Sequence, residues 1–90
     1  MNDYILTLSC PDRTGIVHHV SGWLLERQGN IVDAQQFGDT ETKRFFLRVH
    51  FELPEQQPAE ELEQQFQTVA QEFNMQARVH NAQRKARLLI

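Results

Sequence analysis

From Tyr4 to Cys10 the chain alternates, with Tyr4, Leu6 and Leu8 set apart by Ile5, Thr7 and Ser9. A period of two predicts a strand with one apolar face and one mixed face. Pro11 cannot donate to a sheet ladder and ends that strand. The period then changes. Ile16, Val17, Val20, Trp23 and Leu24 recur at helical spacing, which predicts a helix over 12–28. Asp12 is the expected N-cap of this helix, and Gly29 its left-handed stop. Asn30 to Phe37 reads as a second strand, with Asp33, Gln35 and Gln36 marking it as an edge. Gly38 to Thr42 reads as a turn.

Arg44 to Leu53 is the plainest strand, with Phe45, Leu47, Val49 and Phe51 on one face and Phe46, Arg48, His50 and Glu52 on the other. Pro54 to Pro58 is a linker, and Pro58 suits the first turn of a second helix. That helix carries Leu62, Phe66, Val69 and Phe73 as its apolar stripe. Met75, Ala77 and Val79 alternate in a short fourth strand. The order is βαββαβ. It predicts an α+β, ferredoxin-like fold: an antiparallel four-stranded sheet with two helices on one face. The right-handed crossover rule places the second and fourth strands at the edges.

Ninety residues suit one domain. The net charge of −3 argues against a dedicated nucleic-acid binder. A single cysteine, Cys10, cannot form an internal disulfide, so a reducing compartment is expected. The N-terminus lacks the basic start and apolar core of a secretory signal, and no apolar run could span a bilayer. A cytoplasmic location is therefore expected, with neither membrane nor nucleic acid as partner. The last stretch, QRKARLLI, is basic and then aliphatic. It reads as a linker over 83–90 leading into the first strand of another domain, after a domain over 1–82.

The turn from Cys10 to Gly15 joins a strand end to a helix start, where free N–H groups and the helix dipole attract a carboxylate. Gly15 allows close approach to the backbone. Asn30 is expected at the same end of the sheet, where its amide both donates and accepts. Asp12 would meet a ligand's ammonium group rather than its carboxylate. The structural alternative is that Asp12 caps the helix, Gly15 avoids a clash and Asn30 shapes a turn.

Other chemistry finds little support. His18, His19, His50 and His80 are scattered, and adjacent histidines on a helix do not form a chelating i, i+4 pair. There is no phosphate loop, nucleophile elbow or metal-spaced cluster, so no catalytic residue, metal site or cofactor is expected within the chain. RNA-recognition domains share this strand order and stack bases on third-strand aromatics. RFFLRVHF lacks their glycine pattern, which leaves RNA binding as the weakest reading.

LSCPDRTGIVHHVSGWLLERQGNI followed by AQQFGDTETKRFFLRVHFE resembles the N-terminal ACT domains of the formyltetrahydrofolate deformylase family. KARLLI resembles the start of the formyltransferase-like catalytic domain that follows in that family. The resemblance implies a regulatory module of an enzyme that hydrolyses 10-formyltetrahydrofolate to tetrahydrofolate and formate. Such an enzyme balances one-carbon units and supplies formate for purine synthesis. Its catalytic residues and its folate substrate belong to the later domain. The resemblance also implies a homodimer tuned by a small amino acid such as glycine or methionine, held between paired domains. The implied effector residues are Cys10, Asp12, Arg13, Thr14, Gly15 and Asn30. Cys10 stands where some relatives carry a loop histidine, and Thr14 where a proline is common. A dimerisation module without ligand remains the alternative.

Overall fold

The computed structural model describes residues 2–82. The elements are β1 (Asn2–Pro11), α1 (Ile16–Glu26), β2 (Asn30–Asp39), β3 (Arg44–Leu53), α2 (Ala59–Phe73) and β4 (Gln76–Asn81). The sheet runs in the order β2-β3-β1-β4, and every neighbouring pair is antiparallel. This is the expected ferredoxin-like α+β fold, with β2 and β4 at the edges. The expected linker over 83–90 lies outside the described residues. No helix among the described residues is long and apolar enough to cross a membrane.

The alternation in β1 works as the pattern requires. Tyr4, Leu6, Leu8 and Cys10 are buried, and they line up with Phe51, Val49, Leu47 and Phe45 of β3. Trp23 and Leu24 of α1 and Leu62, Phe66 and Phe73 of α2 close over this face. Each such side chain contributes about 1.5–3 kcal/mol through burial. Phe51 is the hub: it stacks on Tyr4 at 5.6 Å and meets the edge of Trp23 at 6.4 Å. The buried Tyr4 hydroxyl donates to Gln57 O at 2.6 Å and accepts from Gln57 N–H at 2.8 Å. That pair of bonds satisfies the phenol and pins the proline linker to the sheet.

The helix ends differ from expectation. α1 begins at Ile16, not at Asp12. Its N-cap is Gly15, at φ 93°, and no side chain caps it. Asp12 does not cap because it lies ahead of the N-cap position, where its N–H donates to Lys43 O at 3.0 Å and holds it against the β2–β3 turn. At the other end the left-handed residue is Gln28, at φ 59°, rather than Gly29. Gln28 N–H donates to Leu25 O and Gly29 N–H to Leu24 O, the paired bonds of a Schellman turn. Gly29 is required for space: a Cβ there would sit 3.1 Å from Leu24 O and 3.3 Å from the Leu53 side chain. Asn74 ends α2 in the same left-handed way, at φ 58°. Pro58 precedes α2 as its N-cap, and its carbonyl accepts from Glu61 and Leu62 N–H.

β2 also runs further than its pattern implied. Gly38 and Asp39, expected in a turn, pair with Phe45 and Arg44, so the connection is only residues 40–43. A register shift falls between Ile31 and Asp33. Every residue of β2 is exposed.

Candidate functional site

The β1–α1 connection is positioned by strand pairing. Pro11 lies opposite Arg44, and Arg44 lies opposite Asp39 at the end of β2. The connection therefore meets the β2–β3 hairpin tip. Between them is a cleft of about 370 Å³ lined by Asp12, Gly38, Asp39, Thr40 and Lys43. Asp12 and Asp39 bring two carboxylates to its wall and Lys43 one ammonium, so both signs of charge are present. Asp39 Oδ1 already accepts from Glu41 N–H at 3.0 Å.

The six expected site residues do not converge within one chain. Cys10 is fully buried on the helix-facing side of β1. Burial pushes its thiol up, opposed by the Arg44 guanidinium, so the thiol is a core group rather than a lining one. Arg13 turns away from the cleft, with its guanidinium 4.4 Å from the centre of the Phe73 ring. Thr14 is exposed in the connection. Gly15 takes a left-handed backbone, and its carbonyl accepts from His19 N–H and His19 Nδ1–H, both at 3.0 Å. His19 also meets the edge of Phe73 at 4.8 Å. Arg13 and His19 thus clamp the connection to the end of α2.

Asn30 stands at the opposite end of the sheet, contrary to expectation. β1 and β2 each run antiparallel to β3, so they are parallel to each other, and the start of β2 lies beside the start of β1. Asn30 is opposite Glu52 and donates to Glu52 Oε1 at 3.5 Å. Strand rise separates it from the Asp12 cleft by roughly 30 Å.

Gly38, Asp39, Thr40 and Lys43 are the cleft residues that sequence reasoning missed. The signal was present: once β1 and β3 pair in this fold, Pro11 must meet the residues preceding Phe45. The histidines stay apart from the cleft. His18 and His80 are exposed, and His50 Nε2 lies 3.4 Å from Asp3 Oδ2 on the helix-free face. Among the described residues no three His, Cys, Asp or Glu side chains converge to hold a metal.

Residues 4–67 match the ACT domain. The chain belongs to the ACT domain family. Beyond the family, a formyltetrahydrofolate deformylase of Corynebacterium sp. (strain P-1) is 38% identical over 90 residues, spanning 97% of this chain and 31% of that protein. A crystal structure of a formyltetrahydrofolate deformylase from Pseudomonas syringae pv. tomato superposes with a TM-score of 0.82 at 34% identity, over 94% of this chain and 29% of that one. An ACT domain protein from Streptococcus pneumoniae superposes equally well, with a TM-score of 0.82 at 25% identity over 98% of both chains. This ACT domain therefore spans under a third of the deformylases it matches.

Proposed function

We propose that this ACT domain is the regulatory, amino-acid-sensing and dimerising module of a formyltetrahydrofolate deformylase. The parent enzyme would hydrolyse 10-formyltetrahydrofolate to tetrahydrofolate and formate, serving one-carbon balance and purine synthesis. The observation that carries the sensing part is the separation of Asn30 from the Asp12 cleft on parallel strands. Two copies joined antiparallel along their open β2 edges remove that separation. Each copy's Asn30 then comes opposite the other copy's Asp39, beside the cleft of Asp12 and Lys43. A two-fold axis makes two such sites, each incomplete without the partner. Asp12 would take the ammonium group of a glycine or methionine, and Lys43 with the partner's Asn30 its carboxylate. An effector acts only by binding two arrangements with different affinity, and a coupling of about 1–3 kcal/mol is usual.

The contact of Asn30 with Glu52 favours a second reading, in which the edge dimerises without a ligand. Calorimetry of the chain with glycine and with methionine separates the two. The sensing reading expects saturable heat that Asn30→Ala abolishes, with an unchanged thermal unfolding midpoint. No heat from either amino acid leaves only dimerisation, and a chain that sediments as a monomer at high micromolar concentration sinks both. Formate release from 10-formyltetrahydrofolate by the full-length gene product tests the parent activity.

A further inference from the structure

A second hollow lies between the two helices, on the side away from the sheet. It measures about 430 Å³ and is lined from α1 and its end by His18, His19, Gly22, Trp23, Glu26 and Arg27 and from α2 by Gln65, Thr68 and Val69. That volume is at the lower end of ligand pockets, which run from about 300 to 1,000 Å³.

Two features of this groove lack an explanation among the described residues. The first is Gly22. It sits in the interior of α1, where glycine costs about 1 kcal/mol relative to alanine. Its backbone is not left-handed, and a Cβ placed on it would meet nothing within 4 Å. Neither conformation nor packing asks for glycine there. Its effect is to leave the groove open above Trp23.

The second is the Trp23 indole. Trp23 is only 5% exposed, wedged against Phe66 at 5.1 Å, and its Nε1–H is buried with no hydrogen-bond partner among the described residues. A buried donor left unmade costs about 1–3 kcal/mol. The Arg27 guanidinium lies 4.2 Å above the ring and covers it. Arg27 commits Nε to Gln65 Oε1 at 3.0 Å and Nη1 to Trp23 O at 3.2 Å. Its Nη1 is also 3.6 Å from the exposed Glu26 carboxylate. Guanidinium carries five N–H groups, so Nη2 keeps donors to spare.

We propose that this groove binds a small free carboxylic acid with an apolar body. The apolar part lies in the space over Gly22, against Val69. The carboxylate accepts from Trp23 Nε1–H and from Arg27 Nη2–H while Arg27 keeps its bonds to Gln65 and to Trp23 O, and it takes the place of the exposed Glu26 carboxylate beside the guanidinium. A neutral ligand gains the apolar contact but not the charge-assisted bonds, which are about twice as strong as neutral ones. The site shares no residue with the Asp12 cleft or with Asn30.

The test is a titration of the 90-residue chain with phenylacetate, followed on the indole N–H resonance of its only tryptophan. The expected result is a saturable downfield shift, with an affinity at least about tenfold above that of 2-phenylethanol, a gap of ~1.4 kcal/mol. Gly22→Leu fills the groove and should weaken binding at least about tenfold while the unfolding midpoint holds or rises. Arg27→Gln should bring phenylacetate down to the level of the alcohol. An indole resonance that stays fixed, equal binding of acid and alcohol, or full binding by Gly22→Leu would each overturn the proposal.

Discussion

The sheet has two edges, and they are treated oppositely. β4 is short, with six residues, and α2 packs along it. The Val79 N–H points outward and is taken by Glu63 Oε1 of α2 at 2.9 Å. Arg78 and His80 add polar side chains on the outer face. All three devices discourage another strand from adding there. β2 has ten residues, all exposed, and it carries Ile31, Val32 and Phe37 at 44%, 49% and 65% exposure. Val17 and Leu25 of α1 are also exposed. Phe37 rests on Phe46 at 5.0 Å, which stiffens the strand without covering it. β2 carries Asp33 and a register shift of its own, yet over its ten residues it leaves more apolar surface open to a second strand than β4 does. The contrast makes β2, rather than β4, the strand on which the proposed two-fold pairing depends.

The largest effect is expected on the covered side. Phe73 is buried at the end of α2, beneath Arg13 and His19. Phe73→Ala should cost about 3–5 kcal/mol, read as a lowered unfolding midpoint in urea. It should also release the β1–α1 connection, since both of its clamps rest on that ring. The next effect belongs to the bare side. Val32→Asp should leave unfolding of the monomer within about 0.5 kcal/mol, because it changes an exposed site. The same change should raise the dimer dissociation constant at least about tenfold, measured by sedimentation. A Val32→Asp chain that associates as tightly as the original would break the assignment of roles to the two edges.

The third test concerns the blunting of β4. Glu63→Ala strips the acceptor from Val79 N–H and should cost about 1–2 kcal/mol in urea unfolding. Glu63→Gln keeps an acceptor oxygen and should recover more than half of that loss. Equal losses for the two variants would mean that the carboxylate charge matters and the hydrogen bond does not.

These regions also differ in how far they were legible. The β1 and β3 cores followed from period two alone, because burial on one face leaves a direct trace in residue type. β2 was recognisable as an edge from Asp33, Gln35 and Gln36, but its extent through Gly38 and Asp39 was not. Those two residues look like turn formers, and only pairing with Phe45 and Arg44 makes them strand. Asp12 misled for a related reason. Its type suits a cap, yet the backbone bond to Lys43 lies 31 positions along the chain and has no local signature. Asn30 misled because its place depends on strand direction. The βαββ order implies parallel β1 and β2, and hence opposite ends for a residue after β1 and one opening β2. The site is legible as a list of residue types, but their grouping depends on topology and, in the proposed pairing, on a second copy.

The last pair of effects, ending on the smallest, comes from the glycine that caps α1 and the glycine inside it. Gly15 holds φ 93° with open space around it, the nearest atom to an added Cβ being His19 Nδ1 at 3.8 Å. Gly15→Ala therefore isolates the backbone penalty and should cost about 1–2 kcal/mol. Gly22→Ala meets neither a clash nor a positive φ, so it should gain about 0.5–1 kcal/mol from helix propensity. Both are read as shifts of the urea midpoint at constant slope. Opposite signs would mean that the glycine next to the β1–α1 connection serves the fold and that the one in the interhelical groove does not. A loss at Gly22→Ala would mean that the helix needs its glycine for a structural reason, and would remove one of the two supports for a ligand between the helices.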